Sequence, residues 1–127
     1  MAWLTAFAEQ QRIVWRESGR ELVGLAIQYV ANRHGQHAVL EEAGKIGYSY
    51  GHTCADHGVR LSDTVQAFFF FRESVLRATR PGQITLGRYE AEEARVHREM
   101  RQFFDAPLYA MLEAYDQFYL SLRAGGQ

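Results

Sequence analysis

The side chains that could do chemistry are few, and their spacing excludes most of the sites such residues build elsewhere. His52-x-Cys54-x-x-His57 comes nearest to a metal motif. On a helix Cys54 and His57 share a face at i, i+3, but His52 points about 200° away from Cys54 and cannot join them. Two ligands fall short of the four that a structural zinc takes, and Cys54 is the lone cysteine of the chain. Asp56-His57 and Ser62-Asp63 contain the residue types of a hydrolytic triad. Adjacent residues do not face one another, however, and no nucleophile elbow is present. Glu90, Glu92 and Glu93 read as a solvated, dipole-favouring cluster at a helix start, not as a carboxylate pair. The glycines between 44 and 51 lack the Gly-Lys-Ser/Thr ending of a phosphate loop. No enzyme, metal or cofactor follows from these residues. The alternative that stays open is haem or another flat ligand held between helices, with His57 or His97 as the axial group. His97 is flanked by Arg95, Arg98 and Glu99, although Val96 and Met100 beside it are inward.

Arg72 stands apart because it shares a helical face with Phe68, Phe69 and Leu76 in the most aromatic segment of the chain. A cation there must be paired or must reach water along its stem. An ion pair with Glu21 or Glu113 of a neighbouring helix is one reading; contact with an anion or a protein partner is the other.

The elements that position these residues follow from composition and period. At 127 residues and 14.6 kDa one domain is expected, spanning 1–127 with residues 124–127 frayed. The chain is 47% hydrophobic and 23% charged, the balance of a folded globular protein. Val, Ile and Thr together number only 17, and both prolines wait until Pro81 and Pro107, which favours helix over sheet. Fourteen basic against 15 acidic residues leave a net charge of −1, too little field to hold nucleic acid or an anionic membrane. The 13 arginines to one lysine read as a compositional bias of the genome. Cys54 has no disulfide partner and Met1 to Phe7 shows no secretory leader, so a cytoplasmic address is expected. The longest apolar run, Ala67 to Phe71, is far short of the roughly 20 residues of a membrane span.

A period near 3.6 predicts an all-α bundle of about five helices. The first two cover about 3–16 and 20–33, broken or bent at Ser18-Gly19, with Gly35 as a C-cap. A third covers about 37–56. Along it Gly44, Gly47, Gly51, Cys54 and Gly58 leave one face almost bare, which suits close helix packing or a cofactor in the groove. A fourth, capped by Ser62, runs to about Arg80. Its Phe68, Phe69, Phe70 and Phe71 point in four directions, which marks it as the central helix against which the glycine face packs. Pro81-Gly82 ends it, and a loop covers about 81–85. A last long helix, about 86–123, is kinked near Pro107. Globin-like packing and a simple antiparallel bundle both fit this pattern.

Three segments then carry a resemblance: Leu40-Glu41-Glu42-Ala43-x-x-Ile46-Gly47-x-x-Tyr50-Gly51; Gly58-Val59-x-Leu61-Ser62-Asp63-Thr64-Val65-x-Ala67-Phe68-x-Phe70-Phe71-Arg72-x-Ser74-x-Leu76; and Phe103-Phe104-Asp105 through Leu112-Glu113-Ala114-Tyr115. In order and spacing, over about 12–118, they resemble the RsbRD-type N-terminal domain of RsbT co-antagonist proteins. That helical input domain also occurs in PucR-like regulators and some sensor kinases. The resemblance implies a sensory or regulatory domain with no catalytic residue set, acting in bacterial stress-response or transcriptional signalling through a protein partner or a small-molecule effector. Two departures stand out: Pro107 lies where the family continues with aliphatic residues, and 127 residues hold no output module. The expected effector or partner contacts are Arg72, Tyr50, Cys54, Phe68, Phe69 and Tyr115. A homodimer is expected through Trp3, Phe7, Phe118, Tyr119 and Leu122, large residues near the chain ends that a small bundle covers least.

Overall fold

The computed structural model describes the backbone of residues 2–78 and 89–125 and the side chains of 16–78 and 92–125. The expected turn at Pro81-Gly82 and the side chains of Trp3 and Phe7 lie outside the described residues. All-α is the class, with helices α1 (Ala2–Ala31), α2 (Gln36–Asp56), α3 (Leu61–Ala78), α4 (Tyr89–Phe103) and α5 (Asp105–Gly125).

The first two expected helices are one. α1 passes through Ser18-Gly19 without a break, and a Cβ at Gly19 would sit 3.0 Å from Cε2 of Phe71. The glycine admits an aromatic ring from α3, and that packing offsets its low helix propensity. Leu22, Ala26 and Val30 carry the buried stripe. α1 ends at Ala31, and Gly35 (φ 81°) opens α2 instead of capping α1. Gln36 donates from Nε2 to the carbonyl of Tyr29 at 2.9 Å and so satisfies one of the carbonyls left open at the helix end.

α2 closes at Gly58, whose φ of 77° fits only glycine at no steric cost. There Gly58 N–H donates to Ala55 and Val59 N–H to Cys54, both at 3.0 Å, the paired bonds of a Schellman turn. α3 begins before the expected cap: the Arg60 carbonyl accepts from Asp63 and Thr64, so Ser62 lies within the first turn. Asp63 stands at the positive end of the helix and pairs with Arg60 at 3.2 Å.

The last helix is long and bent by only 10°. Pro107 has no N–H for the Phe103 carbonyl, so the hydrogen-bond ladder lapses at Phe104 and resumes where Leu108 donates to Phe104 at 3.3 Å. The break is in the bonding; the axis hardly turns.

The glycine face of α2 packs on this last helix, not on the phenylalanine-rich one. A Cβ at Gly47 would fall 2.2 Å from the Pro107 carbonyl oxygen, and one at Gly51 would fall 2.7 Å from that of Met111. One turn along α2 matches one turn along α5, so the two run in the same direction through the contact. α3 is not central either. Phe68 is buried, but Phe69 is 38% and Phe70 76% exposed. The centre is instead Phe103-Phe104 at the α4–α5 joint, where Phe104 meets Phe103, Phe71 and Phe68 edge-on at 5.2, 6.0 and 6.1 Å. Four phenylalanines in a row cannot all face one core, whereas two at a joint between helix segments can.

Candidate functional site

Three of the expected contact residues, Tyr50, Cys54 and Tyr115, do come together, and they do so inside the core. Tyr115, fully buried on α5, donates its phenolic proton to the Val59 carbonyl at 2.8 Å. That proton is then committed, so the 2.7 Å bond between Thr64 and Tyr115 has the threonine hydroxyl as its donor. The Cys54 thiol bonds to Tyr50 and lies beside Thr64, and so extends the cluster across α2. Burial pushes the Cys54 thiol and the Tyr50 and Tyr115 phenols up from their ordinary values. The thiolate is the nucleophilic form, and a buried, protonated thiol is inert. This network ties the α2–α3 turn to α5 and specifies how the helices meet. Thr64 was legible only as a helix-start residue, yet its spacing of three from Leu61 and four from Phe68 places it on the inward face.

The outer face of α3 is the second cluster. Phe68 turns inward against Phe104 and is closed to a partner, as are Tyr50, Cys54 and Tyr115. Phe69 and Phe70 reach the surface, and the Arg72 guanidinium stacks on the Phe69 ring with its carbon 4.6 Å from the centroid. Arg72 does not pair with Glu21 or Glu113. Its Nη2 lies 3.7 Å from Oε1 of its neighbour Glu73, while its Nε is buried without a hydrogen-bond partner among the described residues. An arginine stacked on a half-exposed aromatic, with a second phenylalanine exposed on the adjoining face, has the residue types enriched in protein-binding hot spots. Phe70, the most exposed of the run, was not singled out by the sequence pattern. A run of four at 100° steps nevertheless forces one of them outward.

The remaining candidates are dispersed. His52 stacks edge-on with Phe118 at 5.9 Å, and His57 places Nδ1 2.7 Å from the Thr53 carbonyl. Among the described residues no three His, Cys, Asp or Glu side chains gather as metal ligands. His97 opens on a cleft of about 140 Å³, well below the roughly 300–1,000 Å³ that encloses a drug-sized ligand, and the residues around it do not fit haem. Of the expected dimer residues, Phe118 packs partly into the core, which corrects its assignment to the outer face. Tyr119 and Leu122 stay exposed, together with Leu120, around an open groove of about 620 Å³ that Asp116 and Arg123 also line. No helix among the described residues is long and apolar enough to cross a membrane. Compared with family models, with curated proteins and with solved structures, the chain matches none of them.

Proposed function

We propose that the chain is a non-enzymatic regulatory module, of the kind its sequence resembles, that engages a protein partner through the outer face of α3. The observation that carries this reading is Phe70, 76% exposed next in sequence to Phe69, the partly exposed ring on which Arg72 stacks. An isolated apolar side chain on a surface needs no explanation, but two exposed phenylalanines on adjoining faces of one helix, one of them carrying a stacked arginine, offer an anchor. The nucleophile-bearing residues that do gather are sequestered and mutually hydrogen-bonded, which also favours binding over catalysis. The Tyr119, Leu120 and Leu122 face of α5 supports a second contact, self-association as a homodimer, through which a change at α3 is passed on by a shift of helix packing. Phe70→Asp tests the proposal. The side chain is exposed, so the melting temperature should hold while binding to the cellular partner is lost. Equal binding by a folded Phe70→Asp protein contradicts it.

A further inference from the structure

We propose that α5 docks on the α5 of a second copy of the chain in antiparallel orientation, across a two-fold axis between Tyr119 and Leu120, so that Asp116 of each copy meets Arg123 of the other. This rests on the self-association proposed above and adds its register and its polar contacts. Asp116, Tyr119, Leu120 and Arg123 stand at i, i+3, i+4 and i+7, so they form one stripe two turns long, and they line one open groove. All four are exposed. Pro107, Met111 and Ala114 are buried on the other side of the helix, where Pro107 and Met111 meet Gly47 and Gly51 of α2. The stripe therefore points away from the chain's own core.

Its charges are arranged to complement a copy of itself. Asp116 and Arg123 are separated by about 10 Å along the axis, at a rise of roughly 1.5 Å per residue. Neither makes an ion pair with another described residue. Turned end for end, the stripe sets acid on base at both ends and Tyr119 on Leu120 in the middle, because the two pairs share one midpoint in the chain. The two-fold axis then makes every contact twice, as an isologous interface does. A parallel copy would instead set Asp116 on Asp116 and Arg123 on Arg123, and like charges in contact oppose pairing. A slide that brought Asp105, also exposed, opposite Arg123 would set Asp116 against the partly buried Leu112. Of these arrangements only the proposed register pairs both charges. Two helical turns cover less than the roughly 800 Å² per partner of a standard interface, so the dimer is concentration-dependent.

Sedimentation equilibrium of the whole chain, from micromolar to submillimolar, tests the register on charge variants whose folding is checked by circular dichroism. The wild type should dimerise. Each ion pair occurs twice, so Asp116→Asn and Arg123→Gln should each raise the dissociation constant by about threefold to tenfold. Asp116→Arg sets cation on cation and should raise it by about tenfold or more, and adding Arg123→Asp to the same chain should restore it to within about threefold of the wild type. Asp105→Asn, which only the slid register would feel, should change nothing. A wild type that stays monomeric throughout overturns the self-association and the register with it. A dimer that tightens on Asp116→Asn, weakens on Asp105→Asn, or ignores every charge change leaves the self-association standing and overturns the register.

Discussion

Replacing Gly47 by alanine is the sharpest perturbation of the packing described above. The added Cβ would meet backbone atoms of Pro107, its oxygen at 2.2 Å and its Cα and carbonyl carbon at 2.7 Å. Ordinary contact begins near 3.4 Å, so α2 and α5 must separate by about 1 Å, and no flexible side-chain end is there to yield. Overpacking of this kind costs about 1–3 kcal/mol, and a backbone obstacle places Gly47 at the upper end. Alanine returns about 1 kcal/mol of helix propensity. Gly44 on the same helix is the internal control, because its nearest neighbour across the contact is the Ala110 Cβ at 4.0 Å. There the propensity gain stands nearly unopposed. The propensity gain is common to both, so the two alanine variants should differ by the overpacking cost alone, about 1–3 kcal/mol, which at roughly 3–5 °C per kcal/mol separates their melting temperatures by about 3–15 °C. Circular dichroism melts with a urea titration of each variant measure it. Leucine at Gly47 or Gly51 should prevent folding altogether. A Gly47→Ala protein as stable as the wild type, or a Gly44→Ala protein that loses as much, would refute the close approach of α2 and α5.

Tyr115→Phe strands both the Val59 carbonyl and the Thr64 hydroxyl, at a cost of about 1–3 kcal/mol in urea denaturation. Thr64→Val leaves the Tyr115–Val59 bond intact and should cost less; the reverse order would contradict the direction assigned to the network. Because burial raises the Cys54, Tyr50 and Tyr115 values above those of the unfolded chain, the stability these groups contribute is fully present below roughly pH 8.5. It is lost as pH rises through their folded values. Stability should therefore fall on the alkaline side, and the fall should be shallower in Tyr50→Phe; identical slopes would remove Tyr50 from the linkage. Light scattering after gel filtration should give about twice 14.6 kDa for the wild type and about 14.6 kDa for Leu122→Glu, whereas a monomeric wild type at micromolar concentration contradicts the dimer.

Helical class and most helix boundaries were legible because the apolar period, the turn at Gly58 and the dipole-matched Asp63 all act within one segment. What the segments pack against was not. A bare stripe at Gly44, Gly47 and Gly51 announces that something comes close, but nothing local says which helix fills it. The occupant, Pro107, looks from the sequence like a kink, yet its carbonyl and Cα are what fit against Gly47. Gly19 likewise reads as a break, because the Phe71 ring that rests on it is more than fifty residues away in the chain. Arg72 was recognisable as a cation in an aromatic setting, but its long stem lets it stay on its own helix with Phe69 and Glu73. The gathering of Tyr50, Cys54, Thr64 and Tyr115 joins three helices and so has no signature in any one of them. Tyr50, Cys54 and Tyr115 stand out in the sequence; their burial, which removes them from direct partner contact, depends on α5 lying over α2.

The most direct test of binding through α3 is site-specific photo-crosslinking in the source cells. A photoreactive amino acid placed at Phe70 is compared with the same group at Gln28, an exposed position on α1. The expected result is one discrete adduct between the chain and a second protein at position 70, absent at position 28 and lost when Phe69 and Arg72 are replaced by alanine in the folded protein. No adduct at position 70 above the level at Gln28 would contradict a partner-binding role for this face.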